Sequence, residues 1–332
     1  MPDERHTFQQ QGRRPESPCC LAMFAFMLTA IRASDGVKVI GEFTDKDPAA
    51  SYHCEKCENP VIHHRSEARL RVGHFAHKAG ASFCPSDGET LEHVQTKLDI
   101  YEYIRKGWGG KLRVVEPEAW ICKRTIRPDV YVETPKGSRI AIEVQASALT
   151  VDEIIRRTRK YHVEGVHVLW VLPFQFRRFF ERFYEMAWRK GHSIEQHYDD
   201  SWIRKEKVKL LGYEQFIYWA YLKKLVLWDL EHKHSEGFVV IELSQHVGEP
   251  TSYFTSGGEE HYHEGRKSKT FKAVDRVVGN VRFDQLRTHV FHDDFSMKFL
   301  PYSIPARHIM NFDPTKWKGL TGVMYPPLPQ RP

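Results

Sequence analysis

A chain of 332 residues, 41% hydrophobic and 13% aromatic, has the apolar content for one large domain or two to three smaller ones, which excludes disorder throughout. The formal charge of +6 and a pI of about 8.9 favour a polyanionic partner, because basic side chains set against phosphates release counterions. Six cysteines (Cys19, Cys20, Cys54, Cys57, Cys84 and Cys122) fall short of a secreted disulfide scaffold and point to thiols and a metal site in a reducing, cytoplasmic compartment.

Residues 1–26 read as an unstructured polar extension, with Met27 as an alternative translation start. The apolar run Cys19 to Ile31 is too short to span a bilayer, and no transmembrane segment is expected. MLTAIRASDGVKVIGEF then reads as a hairpin turning at Asp35-Gly36. After it, YHCEKCENP holds Cys54 and Cys57 at CxxC spacing, and HFAH supplies His74 and His77 before Cys84. Two thiolates on a tight turn, joined by imidazole or thiolate from a facing turn, suit tetrahedral Zn²⁺. Cys54, Cys57 and His77 are three of the ligands, and Cys84 or His74 is the fourth. The competing reading is a reduced CxxC turn with HFAH as a core strand.

GETLEHVQTKLDIYEYIRKG predicts a helix with Leu91, Val94, Leu98, Ile100, Tyr101 and Ile104 in its apolar stripe. Glu89, His93 and Lys97 are spaced to share one of its faces. WGGKLRVVEPEAW follows as loop and strand. Val130–Val132 and Arg139–Val144 are then two β-prone runs around the turn residues Pro135-Lys136-Gly137. A turn centred near Lys136 sets Asp129 opposite Glu143, with Cβ atoms about 5 Å apart. Gln145, two places on, points to the same side as Glu143. Carboxylates so close repel unless a cation lies between them. The alternation of Ile140, Ile142 and Val144 with Ala141, Glu143 and Gln145 leaves one polar face, which reads as a site for a hard, oxygen-liganded ion, Mg²⁺ or Mn²⁺.

LTVDEIIRRTRKYHVE is again helical, capped by Thr150 or Ser147 and ended by Gly165. Arg157 and Tyr161, one turn apart, are placed to point over the sheet edge where Glu143 and Gln145 lie. VHVLWVLP is apolar enough for a strand buried on both faces, reached by a parallel crossover. The element order is αβββαβ. Phe174 to Gly191 predicts an aromatic and basic helix, Val208 to Lys224 a second helical stretch, and LVLWDLEH with GFVVIELSQHV a hairpin. Gly248 to Lys272 reads as a loop with His261 and His263 at the surface, VDRVVGNVRF as a strand or short helix, and PPLPQRP as a frayed end.

The CxxC and HFAH, ETLEHVQTK, RPDV, IAIEVQAS and the RRTRKY helix leading to VLWVLP occur in an order that resembles the competence protein CoiA-like family, of the PD-(D/E)xK restriction-endonuclease-like superfamily. The likeness covers about Met27 to Pro173. It implies an α/β fold with a mixed α+β sheet: a restriction-endonuclease-like αβββαβ core at 87–174, preceded by a β-rich zinc-knuckle region at 27–86. A helical and hairpin α+β region at 175–320 and a tail at 321–332 complete the division. It also implies a metal-dependent deoxyribonuclease acting on single- or double-stranded DNA, in a process such as transformation, recombination or phage defence. By the same likeness Asp129 and Glu143 are the two acids, Gln145 stands where the superfamily has lysine, and Glu89, His93 and Lys97 form the polar helix face. Arg157 and Tyr161 match the crossover-helix residues, and Arg127 of RPDV joins them in contacting substrate. Lys97 is placed to supply the cation that Gln145 lacks. Two rival expectations are a weak or inactive DNA-binding factor that retains the fold, and a zinc-stabilised scaffold for a protein partner or a second copy of the chain.

Overall fold

In the computed structural model, which describes residues 26–65, 72–78, 84, 89–174, 208–230, 237–248, 250–290, 294–296, 300–305 and 307–310, two principal sheets are formed. The first contains β1 (Phe26–Met27), β2 (Thr29–Arg32), β3 (Lys38–Ile40), β4 (Tyr52–His53), β5 (Pro60–His64) and β6 (His74–His77), in the order β1-β6-β5-β4-β2-β3. The β2–β3 hairpin turns where expected, with Gly36 at φ +69° and Arg32 gripping Asp35 at 2.7 Å. Gly41 and Gly73 approach so closely that a Cβ on Gly41 would sit 2.6 Å from the Gly73 carbonyl oxygen. The sheet has its own small core of Met27, Ala30, Tyr52, Val61 and Phe75, closed by Cys54 and Cys84.

α1 (Leu91–Trp108) starts on Thr90, whose hydroxyl accepts the His93 N–H at 3.2 Å. The predicted stripe is buried except for Leu91, which is half-buried at the first turn, and Lys97 is buried with it. Glu89 precedes the cap, so it reaches the site from the segment entering the helix and not from a helical face; this corrects the expected i, i+4, i+8 alignment.

β7 (Val114–Pro117), β8 (Val130–Glu133) and β9 (Arg139–Val144) form an antiparallel meander. Gly137 at φ +80° closes the β8–β9 turn, its N–H donating to the Thr134 carbonyl at 2.9 Å. Val130 stands opposite Ile142 and Tyr131 opposite Ala141, the predicted register, and one further step brings Asp129 to the level of Glu143. α2 (Val151–Val163), capped by Thr150, leads to β10 (His167–Phe174), which runs parallel to β9 with Trp170 opposite Glu143. The αβββαβ order is therefore present, and α2 provides the crossover that parallel strands require.

The second sheet continues beyond β10. β11 (Val208–Lys209), α3 (Gly212–Ala220), β12 (Lys224–Asp229) and β13 (Phe238–Val247) follow in sequence. After β14 (Thr251–Phe254) and β15 (Glu260–His263) comes the long β16 (Lys267–Val281). The order is β7-β8-β9-β10-β12-β13-β16-β11, with β17 (Arg287–Val290) and β20 (Arg307–Met310) attached through β10. The sheet thus runs without interruption past position 174, because β12 pairs in parallel with β10. β18 (Phe295–Ser296) and β19 (Ser303–Ile304) form a minor pair.

Two expectations change here. The helix over 208–224 is shorter, bounded by β11 and by the turn at Tyr221–Lys223. The stretch Gly248 to Lys272 is a hairpin and the start of β16 rather than a loop, since Tyr253 stacks on both His261 and His263 at 5.4 and 5.5 Å and Gly258 turns the chain at φ +82°. Of the two readings of VDRVVGNVRF, strand is the one formed, as far as Val281. The N-terminal extension to residue 25, the helix expected after Phe174 and the PPLPQRP end lie outside the described residues. Among the described residues no helix is long and apolar enough to cross a membrane.

Candidate metal centres and acid site

The CxxC turn shows knuckle geometry. Glu58 donates its N–H to the Cys54 carbonyl at 2.9 Å with φ +59°, and the Lys56 N–H points at the Cys54 sulfur at 3.4 Å. His77, at the end of β6, places Nε2 3.2 Å from Cys57 Sγ, and Cys84 Sγ lies 3.9 Å from Cys54 Sγ. The ligand atoms of Cys54, Cys57, His77 and Cys84 all fall within 4.8 Å of one another. Three thiols and an imidazole fit tetrahedral zinc. Burial pushes the Cys54 thiol up to about 12, so a thiolate there calls for a cation beside it.

His74, the other expected fourth ligand, is turned away. Its Nδ1 lies 2.8 Å from the Val72 carbonyl, and its ring stacks on His64. The reason is strand periodicity: positions 74 and 77 are separated by an odd number of residues, so they face opposite sides of β6.

The second cluster forms where α1, β8 and β9 meet. The Val144 N–H donates to Asp129 Oδ2 at 2.7 Å, His93 Nε2 lies 3.1 Å from the same oxygen, and Lys97 Nζ is 3.7 Å from Oδ1. Burial opposes charge on Asp129, but His93, Lys97 and Arg157 outweigh it and hold the carboxyl far below its usual range. Burial likewise opposes the imidazolium of His93, and Asp129 overcomes it and raises the pKa. Glu89, His93 and Asp129 offer ligand atoms within 4.8 Å of one another.

Lys97 has no accessible side-chain surface and sits among three acids: Glu89 at 2.5 Å, Glu118 at 2.5 Å and Asp129 at 3.7 Å. Glu118 was not anticipated. It is buried, and Arg127 Nη2 reaches its other carboxylate oxygen at 2.7 Å. A signal for it existed: Lys97 falls in the apolar stripe between Val94 and Tyr101, and a lysine buried there needs acids around it.

Glu143 is fully buried and distinct in its partners. Arg157 donates to one carboxylate oxygen and the Tyr161 hydroxyl to the other, while the acid and imidazole that could hold an ion beside Asp129 are Glu89 and His93. Arg157 also lies over the Trp170 ring at 4.9 Å. Gln145 donates its main-chain N–H to the Val171 carbonyl at 2.8 Å and its amide to the Ser147 carbonyl at 2.5 Å, which turns it from the acids. Arg127 is occupied with Glu118 and is largely buried.

Burial, reinforced by Asp129, pushes the Glu143 carboxyl up to about 7 against the pull of Arg157 and Tyr161. The unfolded side chain titrates near its ordinary 4.5, so between these values the folded state holds a proton that the unfolded state has lost. Stability from this group is complete at low pH and declines as pH rises through that window. The melting midpoint of Glu143→Gln relative to wild type should therefore climb by roughly 2–4 °C between about pH 5 and pH 7.5. A difference that stays flat with pH would mean that Glu143 is already ionised at the acid end.

Residues 89–216 match a family model described as Competence protein CoiA, nuclease-like domain. The match begins at Glu89 and takes in α1 through most of α3. Among solved structures, a repair endonuclease from Pyrococcus abyssi is similar at 14% sequence identity and a TM-score of 0.18, over 45% of this chain and 77% of that one. No curated protein matches the chain.

Proposed function

We propose, from the match of residues 89–216 to the CoiA nuclease-like domain model, that the chain is a divalent-metal-dependent nuclease hydrolysing phosphodiester bonds of DNA. The observation that carries the proposal is the convergence of Glu89, His93 and Asp129 on one ligand-sized space, with a buried ammonium alongside. Two carboxylates suit Mg²⁺ or Mn²⁺, and the imidazole tilts the set toward Mn²⁺. Such an ion, when bound, supplies Lewis acidity toward a phosphoryl oxygen and acidifies an attacking water.

The chain's own groups divide the remaining work. Asp129, with its lowered pKa, is ionised at neutral pH and available as a ligand. His93 orients that carboxylate through the 3.1 Å contact. Lys97 is held charged by three acids, after burial is outweighed, and offers the positive charge that position 145 lacks. Glu143, poised near neutrality and steadied by Arg157 and Tyr161, is the proton acceptor.

Purified protein with single- or double-stranded DNA should yield cleavage product with Mn²⁺ or Mg²⁺ and none with EDTA. Absence of product on both DNA forms with both ions would sink the proposal. A second reading, a DNA-binding factor without catalysis, draws on the occupation of both Glu143 oxygens and on Gln145; it predicts salt-sensitive binding and no product.

Lys97 and Gln145 separate in their expected effects. Lys97→Met leaves buried acids facing one another, so it should destabilise the fold by about 3–5 kcal/mol in urea titrations and eliminate cleavage. Gln145→Ala, which removes an amide bonded to Ser147, should slow initial rates by less than about threefold. The reverse ranking would mean that Lys97 is not the source of the charge.

A further inference from the structure

We propose that Glu118 is the positioning residue of the acid site and that the Cys/His-bearing sheet holds it in place through Thr29 and Lys38. The proposal deepens the nuclease reading and rests on it for its Mn²⁺ and activity readouts, but not for hydrogen exchange.

Glu118 follows β7 in the left-handed region, at φ +52°, where a residue with a Cβ stays only if its surroundings dictate it. Each of its polar groups is used. The N–H donates to the Asp129 carbonyl at 3.0 Å, fixing the main chain of the central acid. Carboxylate Oε1 accepts from Lys97 at 2.5 Å, while Oε2 accepts from Arg127 at 2.7 Å and from the Thr29 hydroxyl at 2.5 Å. The carbonyl accepts from Lys38 Nζ at 2.7 Å and Arg127 Nε at 3.2 Å.

Thr29 and Lys38 belong to β2 and β3, the same sheet that carries the zinc-type ligands. Lys38 also lies 3.6 Å from Glu55, the residue after Cys54, and Arg124 approaches Glu55 from the other side at 3.8 Å. A chain of polar contacts therefore leads from the CxxC turn through Glu55 and Lys38 to the Glu118 main-chain carbonyl, then from the Glu118 carboxylate through Lys97 to Asp129.

The electrostatics give this chain a purpose. Glu118 takes a share of the Lys97 ammonium, which otherwise has only Glu89 and Asp129 to neutralise it. Those two acids are also the carboxylate donors of the candidate ion site. With Glu118 in place, they keep charge for a divalent cation. Neutralise it, and Lys97 turns wholly to them and competes with the ion.

The test uses the full chain and four variants: Glu118→Gln, Glu118→Asp, the near-isosteric Thr29→Val, and Arg65→Ala as a control whose exposed pair with Asp45 lies off the chain of contacts. Hydrogen exchange of amides in 116–130 and 142–146 is measured without divalent ions, and Mn²⁺ affinity by calorimetry. Glu118→Gln should weaken Mn²⁺ about tenfold and Thr29→Val about threefold, as for residues that orient ligands from behind. Both should speed exchange in those segments by about tenfold, with zinc retained, Arg65→Ala unchanged and Glu118→Asp in between. In cleavage assays kcat should fall with KM steady. Exchange rates and Mn²⁺ affinity equal to wild type in Thr29→Val and Glu118→Gln overturn the proposal. If Glu118→Gln does not fold, Thr29→Val decides. If wild type cleaves no DNA, the nuclease reading fails, while exchange still decides the role of Glu118.

Discussion

Replacing Asp129 by alanine should reduce metal-dependent cleavage by about 10³-fold or more while leaving a folded protein, because this carboxylate joins every part of the site. It accepts the Val144 N–H, meets His93, and lies within ionic reach of Lys97. The Lys97 ammonium keeps Glu89 and Glu118 after the change, so no buried cation is stranded. The freed Val144 N–H should cost about 1–3 kcal/mol. Asp129→Asn preserves an acceptor for that N–H and should recover most of the stability without the activity. Initial rates on labelled DNA with Mn²⁺, beside urea unfolding of both variants, give the comparison. Rates within about threefold of wild type would remove Asp129 from the mechanism.

One zinc per chain is the second large expectation, and its loss should unfold the N-terminal sheet. The core of that sheet, around Met27, Tyr52, Val61 and Phe75, is small and needs a cross-link, and two of its members are cysteines of the candidate zinc cluster. Zinc binding in small thiolate sites contributes about 10–16 kcal/mol, much of it expressed as folding. Cys57→Ser and Cys84→Ser should each abolish zinc by elemental analysis and expose 26–65 to rapid hydrogen exchange. His74→Ala should keep the metal, since that ring is bonded to Val72 and stacked on His64. Zinc lost from His74→Ala and kept in Cys84→Ser would reverse the ligand assignment. If the contacts from Thr29 and Lys38 act as proposed, the cysteine variants should also lose cleavage, although neither Cys57 nor Cys84 belongs to the acid cluster.

Much of the fold was legible because it is written in short-range patterns. The turn at Pro135-Lys136-Gly137 sets the β8–β9 register, and that register carries Asp129 to Glu143. Thr90 and Thr150 cap the helices on either side of the meander. The CxxC spacing marked its turn, and strand periodicity accounts for His74 facing away from His77. The hairpin at Thr251–His263 was missed because its polar composition resembles loop, while its order comes from stacking of Tyr253 on two histidines across the strands.

The sequence by itself determined the αβββαβ order, the CxxC turn and the level placement of Asp129 and Glu143 across one hairpin, since spacing, turns and caps act over a few residues. Only the tertiary structure decided which charges meet. Asp129 and Glu143 are level across one hairpin, yet α1 brings His93 and Lys97 to the first and α2 brings Arg157 and Tyr161 to the second. Glu118 joins them from a loop with no motif of its own, secured from the Cys/His sheet. The physical reason is burial: a lysine or glutamate withdrawn from water must find its counter-charge among whatever the packing brings near, and packing is set by the whole chain.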